Sequence, residues 1–133
     1  MTPRSSPSAV LDVSAVLAYL KREPGYEQVR DAIAAGAAIS TTNLAEVYAR
    51  IVASGRPLDA VAARLLALGL QPEPFTEEDA RTSASLYPQT QPLGLSLGDR
   101  ACLALGRRLG LPVLTADRAW LDASPDIRVL LLR

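Results

Sequence analysis

The chain has 133 residues, 49% of them apolar and 21% charged, which fits one compact domain and excludes a disordered segment. Fourteen basic residues balance fourteen acidic ones, so net charge advertises no nucleic-acid partner, although every base except Lys21 is arginine, the residue suited to a local phosphate-facing patch. A single cysteine excludes an internal disulfide and a cysteine-rich zinc site, and the absence of histidine removes imidazole both as ligand and as base.

Residues 1–8, with two prolines and three serines, read as a flexible lead-in to a single domain over 9–133. Arg4 before an apolar run imitates a signal peptide weakly. Asp12 interrupts that run, and Lys21-Arg22-Glu23-Pro24 stands where a cleavage site would be expected. No stretch approaches the ~20 apolar residues of a membrane span. A cytoplasmic protein with no membrane partner is therefore expected.

Ala9 to Leu11 reads as a short buried strand and Val13 to Arg22 as a helix ending before Pro24-Gly25. Tyr26 to Ala35 is a second helix stopped at Gly36, followed by a strand at Ala37 to Ser40 and a polar turn at Thr41-Thr42-Asn43. Leu44, Val47, Tyr48, Ile51 and Val52 recur at helical spacing, which carries a third helix to about Gly55. Pro57 opens a fourth, closed by Gly69. The stripes between Leu44 and Leu68 are either core or surfaces for a partner.

Leu70 to Phe75 is a poor strand, since Pro72 and Pro74 confine it to a sheet edge. Thr76 caps a helix to about Tyr87, Pro88 to Gly94 is a loop, and Leu97 to Leu109 is a helix. Pro112 to Leu114, Arg118 to Asp122 and Ile127 to Leu131 supply a strand, a short helix and a last strand. Short apolar strands alternating with helices imply a three-layer α/β/α sandwich with a central, mainly parallel sheet.

Four acids stand in suggestive surroundings. Asp12 lies inside the apolar run from Ala9 to Leu17, where an uncompensated carboxylate costs several kcal/mol. Glu46, Asp99 and Asp117 occur in Asn-Leu-Ala-Glu-Val-Tyr, Leu-Ser-Leu-Gly-Asp-Arg and Val-Leu-Thr-Ala-Asp-Arg. In open parallel sheets ligands bind beyond the carboxyl ends of the strands. Asp12 and Asp117 follow two strands directly, and Glu46 and Asp99 are expected in the first turns of helices on the same edge. Four converging acids point to a hard divalent cation, Mg²⁺ or Mn²⁺, held by oxygen.

Each acid also has an ordinary reading. Asn43 to Glu46 and Ser96 to Asp99 fit capping boxes, and Glu46 with Arg50 makes a favourable i,i+4 pair. Asp12 and Asp117 could cap the helices after them. Asp99 is harder to dismiss, because it shares a helical face with Cys102, Leu103 and Gly106. Ser14 and Thr115, each two residues from an acid, can orient a carboxylate or a metal-bound water, or serve ordinary turns. Cys102 reads as a small core residue. Arg100 and Arg118 are candidates for guiding phosphate, or solvated surface groups.

Four blocks in this order resemble the PIN-domain ribonucleases, specifically VapC-type toxins of bacterial type II toxin–antitoxin systems. They are Val10-Leu11-Asp12-Val13-Ser14-Ala15-Val16-Leu17, Asn43-Leu44-Ala45-Glu46-Val47, Leu95 to Leu105 around Ser-Leu-Gly-Asp-Arg, and Gly110 to Trp120 around Leu-Thr-Ala-Asp-Arg. The resemblance covers nearly the whole chain from Ala9. Two features depart from it: the lead-in before Asp12 is longer than usual, and Gly98 stands where alanine is more usual.

The resemblance implies that Asp12, Glu46, Asp99 and Asp117 bind Mg²⁺ or Mn²⁺ for cleavage of single-stranded RNA. It also implies a VapB-type antitoxin partner and a homodimer. Without metal, such a pocket should raise the pKa of one carboxyl. Other classes stay open: a catalytically inactive PIN-like RNA-binding module, or a PIN nuclease outside a toxin–antitoxin pair. A receiver-like phosphoacceptor would want an adjacent acidic pair and a downstream lysine, and an Asp-x-Asp phosphatase would want an acid where Ser14 stands.

Overall fold

Among the described residues five strands of two or three residues each carry the fold, and their brevity leaves the helices to make most of the core. The computed structural model describes residues 6–132. Residues 1–5 of the expected lead-in lie outside the described residues, while 6–8 belong to no helix or strand. In chain order the elements are β1 (Val10–Leu11), α1 (Val13–Leu20), α2 (Tyr26–Ala34), β2 (Ala38–Ser40), α3 (Thr41–Ala53), α4 (Leu58–Leu68) and β3 (Gln71–Glu73). Then follow α5 (Glu77–Ser85), α6 (Tyr87–Thr90), α7 (Leu97–Leu109), β4 (Val113–Thr115) and β5 (Val129–Leu131). Single 3₁₀ turns occupy Gln91–Leu93 and Arg118–Asp122.

Every strand pairing is parallel, in the order β3-β2-β1-β4-β5. The two-residue pleat sorts the strand side chains between two cores. Leu11, Ile39 and Leu114 face the cluster built with α1 to α4. Val10, Ala38 and Val113 face the cluster that includes Cys102, Leu103 and Leu105 of α7, with Leu86 and Trp120. Helices thus cover both faces, giving the three-layer α/β/α sandwich expected from the strand–helix alternation.

The apolar stripes of α3 and α4 are core: Leu44, Val47, Ile51, Val61 and Leu65 are buried, leaving Val52 and Leu66 exposed among the large apolar residues of these two helices. Pro72 does sit on an edge strand, opposite Ile39.

Several boundaries differ from expectation, each for a local reason. Helix α1 stops at Leu20 because Arg22 adopts a left-handed φ of 57°, its guanidinium 5.1 Å from the Tyr26 ring centroid. Thr41-Thr42-Asn43 is no turn. It is the first turn of α3, which Ser40 caps by accepting from the Thr42 N–H. The segment Pro88 to Gly94 is helical rather than a loop, forming the end of α6 and a 3₁₀ turn, with Thr90 Oγ1 donating to the Leu86 carbonyl at 2.7 Å.

The two helices beneath the second core are locked by one buried ion pair. Asp79, 1% exposed in the first turn of α5, accepts from Arg108 Nε at 2.8 Å and Nη2 at 3.1 Å near the end of α7. Asp79 also closes a capping box with Thr76. Replacing Arg108 by methionine strands that carboxylate. We expect a loss of about 3 kcal/mol in urea unfolding, against little change for Arg81→Met, whose partner Glu77 is exposed.

Candidate active site

The strand order reverses at β1. The chain adds β2 and β3 on one side and then crosses to place β4 on the other. A parallel sheet opens a crevice at such a switch point, beyond the carboxyl ends of the two strands. Leu11 pairs with Leu114 in the last register of β1 against β4, so Asp12 and Thr115 emerge side by side at the crevice floor.

Asp12 is 4% exposed, caps α1, and is held by a hydrogen-bond mesh. Its Oδ1 accepts from the Ala15 N–H at 2.8 Å, and its Oδ2 accepts from Thr115 Oγ1 at 2.6 Å. Ser14 Oγ lies 2.8 Å from both oxygens. The two hydroxyls in turn accept from backbone: Ser14 from the Ala116 N–H at 3.0 Å and Thr115 from the Asp117 N–H at 3.1 Å. Ser14 and Thr115 therefore orient the Asp12 carboxylate and tie the end of β1 to the segment after β4. Burial pushes the Asp12 pKa up to about 6, against the lowering pull of Thr115, the Ala15 N–H and Ser14, and nearby Asp99 raises it further. One carboxyl is thus raised, as a pocket of acids would lead one to expect, but its main cause is burial rather than mutual repulsion.

Asp99 lies half-buried in the first turn of α7, where it and Ser96 form a full capping box: Oδ2 accepts from the Ser96 N–H at 2.9 Å, and the Asp99 N–H donates to Ser96 Oγ at 3.2 Å. Its charge reaches both Asp12 and the buried Cys102 thiol. Burial first, then Asp12 and Asp99, push that thiol well above its ordinary range, which suits an inert core residue beneath the site. Asp117 is exposed and caps the 3₁₀ turn after it, accepting from the Ala119 N–H at 3.0 Å.

Glu46 sits in the second turn of α3 rather than the first, and the Asn43–Glu46 capping box does not form. No ion pair joins Glu46 to Arg50 among the described residues. Instead the Glu46 carboxylate folds over Gly98, with Oε1 occupying the space a Cβ on Gly98 would need. Asn43, 1% exposed, reaches across from α3 and donates from Nδ2 to the Gly98 carbonyl at 2.8 Å, leaving its Oδ1 buried without a partner. This clamp between α3 and α7 is the functional feature that sequence patterning missed. Its signal was in plain view, as a buried-type amide one helical turn before Glu46 and a glycine at the start of α7.

The side chains hydrogen-bonded to Asp12 offer only oxygen, and of the other three acids Asp99 alone acts on it. Among the described residues, no group of three or more acidic or cysteine side chains is arranged to hold a metal ion. Asp99 is the acid whose charge acts on Asp12, a smaller influence there than burial or the hydrogen bonds. That arrangement suits Mg²⁺ chemistry, in which one or two carboxylates bind an ion that keeps several waters. The carboxylates of the hydrogen-bonded Asp12 and the capped Asp99 fit a hard, hydrated cation better than a soft or fully caged one.

A protein-family model described as the PIN domain matches residues 9–124. No curated protein matches. Solved structures match over nearly their whole length. A toxin–antitoxin complex from Klebsiella pneumoniae aligns with a TM-score of 0.75 at 19% identity, covering 95% of this chain and 98% of that one. DNA-bound VapBC from Salmonella typhimurium aligns with a TM-score of 0.77 at 16% identity, covering 96% and 100%. VapC20 of Mycobacterium tuberculosis, described as a sarcin–ricin-loop-cleaving toxin, aligns with a TM-score of 0.67 at 18% identity, covering 91% and 99%. At these identities the structural likeness speaks to fold.

The raised Asp12 pKa has a signed consequence for the metal-free protein. A folded value of about 6 above an ordinary 3.8 means the fold favours the protonated acid. That stabilisation is complete below pH ~4 and is lost as pH rises through about 6, by about 3 kcal/mol in total. In EDTA, Asp12→Asn should melt higher than the parent at pH 8, with the gap closing near pH ~4. Equal melting of the two proteins at pH 8 would contradict this account.

Proposed function

We propose, from the premise that this chain belongs to the PIN domain family, that it is a metal-dependent ribonuclease, the toxin of a VapBC-type toxin–antitoxin pair. One observation supports this reading above the others. A carboxylate the core should reject, Asp12, is fixed by two hydroxyls at the switch point of a parallel sheet and coupled to a second carboxylate, Asp99. A fold that holds a buried acid so firmly, with the charge uncompensated, has use for a cation there.

In this proposal Asp12 and Asp99 hold the ion, Mg²⁺ or Mn²⁺, while Glu46 and Asp117 ligate through water or orient the attacking water. When bound, the cation supplies a lowered water pKa and charge neutralisation on the scissile phosphodiester. The chain's own groups do the rest. Ser14 and Thr115 hold the Asp12 carboxylate in one position, so it needs little reorganisation during the reaction. Asn43 holds α3 against α7 and so sets where Glu46 stands relative to Asp99. With no histidine in the chain, the proton lost by water passes to a carboxylate or to solvent. In this proposal Arg118, exposed and one residue beyond Asp117, meets a phosphate of the RNA.

The toxin role, the VapB-type antitoxin, the homodimer and the cytoplasmic location extend the same proposal. That the fold neighbours include a toxin–antitoxin complex and a VapBC pair supports the first two. No helix among the described residues is long and apolar enough to cross a membrane.

Three measurements test the reading. Asp99→Asn should lose at least about a hundredfold in cleavage of cellular RNA while melting cooperatively, since a lost cation removes several kcal/mol of transition-state stabilisation; full activity would overturn the assignment. EDTA should stop cleavage by the parent protein, and added Mg²⁺ or Mn²⁺ should restore it. In cells, induced expression should arrest growth, and co-expression of the gene immediately upstream should relieve the arrest.

A further inference from the structure

An RNA approaching this edge meets a difficulty. The chain has no net positive charge to attract a polyanion, and the crevice holds Asp12 with the charge of Asp99 acting on it. Beside these acids a contact that does not depend on charge adds affinity that phosphate contacts by arginine do not supply. Stacking of a base on an aromatic ring is such a contact, since every base has a π face.

One ring is built for it. Tyr87 is 52% exposed, the most exposed aromatic among the large exposed apolar side chains. It opens α6 directly after Leu86, which is 1% exposed in the core, and Thr90 bonds back to the Leu86 carbonyl to close the turn. The ring is therefore carried on a fixed backbone. Arg100 lies against it, with the guanidinium carbon 5.1 Å from the ring centroid. Arg100 is the residue after Asp99, so the ring packs against the same end of α7 that carries the acid. Arg100 makes no ion pair among the described residues, and its Nε is buried without an acceptor. An arginine held by no carboxylate is oriented by the ring and leaves its outer nitrogens available to a phosphate. Leu97, 57% exposed and three residues before Arg100, extends the apolar shelf along the same helical face.

We infer that Tyr87, backed by Arg100, is a stacking platform for one unpaired base of single-stranded RNA next to the scissile phosphate. The inference rests on the ribonuclease reading and sharpens it, because it makes Tyr87 a positioning residue that selects unpaired over paired RNA. A base inside a duplex is stacked on its neighbours and cannot present its face to the ring. The ring adds affinity without bringing a further charge to the acidic edge.

The test uses the full chain in EDTA at low salt, so that binding is read apart from cleavage. The probe is a short single-stranded oligoribonucleotide carrying 2-aminopurine, with a blunt hairpin of the same composition as control. Tyr87→Leu should weaken binding of the single strand by about fivefold to a hundredfold and abolish the stacking change in 2-aminopurine fluorescence. Tyr87→Phe should retain both, and hairpin affinity should not move. The proposal is overturned if Tyr87→Leu binds the single strand as the parent does, or if the parent shows no single-strand binding. It is overturned equally if Tyr87→Leu changes oligomeric state and leaves RNA affinity intact, which would make the face a protein contact. Cleavage of the same RNA by the parent with Mg²⁺ judges the nuclease reading separately. Cleavage with unaltered Tyr87→Leu affinity sinks the platform alone, whereas Tyr87-dependent binding without cleavage sinks the nuclease alone.

Discussion

The hydrogen bond from Thr115 to Asp12 joins the ends of the two central strands, and the remainder of the site is arranged around it. It spans the switch point of the sheet and fixes an acid that burial drives toward its neutral form. Around that bond, Ser14 and the N–H groups of Ala15, Ala116 and Asp117 form a mesh in which each polar group is used. Such a mesh is costly to leave without a matching charge and worth keeping only if one arrives. That imbalance is the physical basis for reading the crevice as a cation site.

The two helical layers serve this constraint differently. Helix α1 begins at Asp12 and uses it as a cap, so the first core forms directly behind the acid. Helix α7 brings Asp99 in from the other layer, with Cys102, Leu103 and Leu105 anchoring its buried face. The layers meet at the Asn43 clamp on Gly98, and the missing Cβ there gives the Glu46 carboxylate its place. The Arg108–Asp79 pair fixes the far end of α7 and so holds the angle at which Asp99 is presented.

Much of this was legible in the residues. An acid in an apolar run announced itself at Asp12, because burial of a carboxylate is too costly to be incidental. The strand–helix alternation gave the layers, and Pro72 and Pro74 marked the edge strand. Local rules misled at α3, where three polar residues looked like a turn. Ser40 captured the cap instead and freed Asn43 for a bond to a residue 55 positions away. No sequence window contains that partnership, since it depends on two helices from different layers meeting. The capping signal at Ser96–Asp99 was correct and yet did not decide Asp99's role, because one carboxylate oxygen can cap while the charge still acts on Asp12.

The central claim is that Asp12 and Asp99 together hold a divalent cation. Isothermal titration of Mg²⁺ and Mn²⁺ into the protein at neutral pH, alongside Asp12→Asn and Asp99→Asn, tests it most directly. The account predicts saturable binding by the parent protein and its loss in each variant, with both variants folded. Undiminished binding in either variant, or no binding by the parent to either ion, would contradict it.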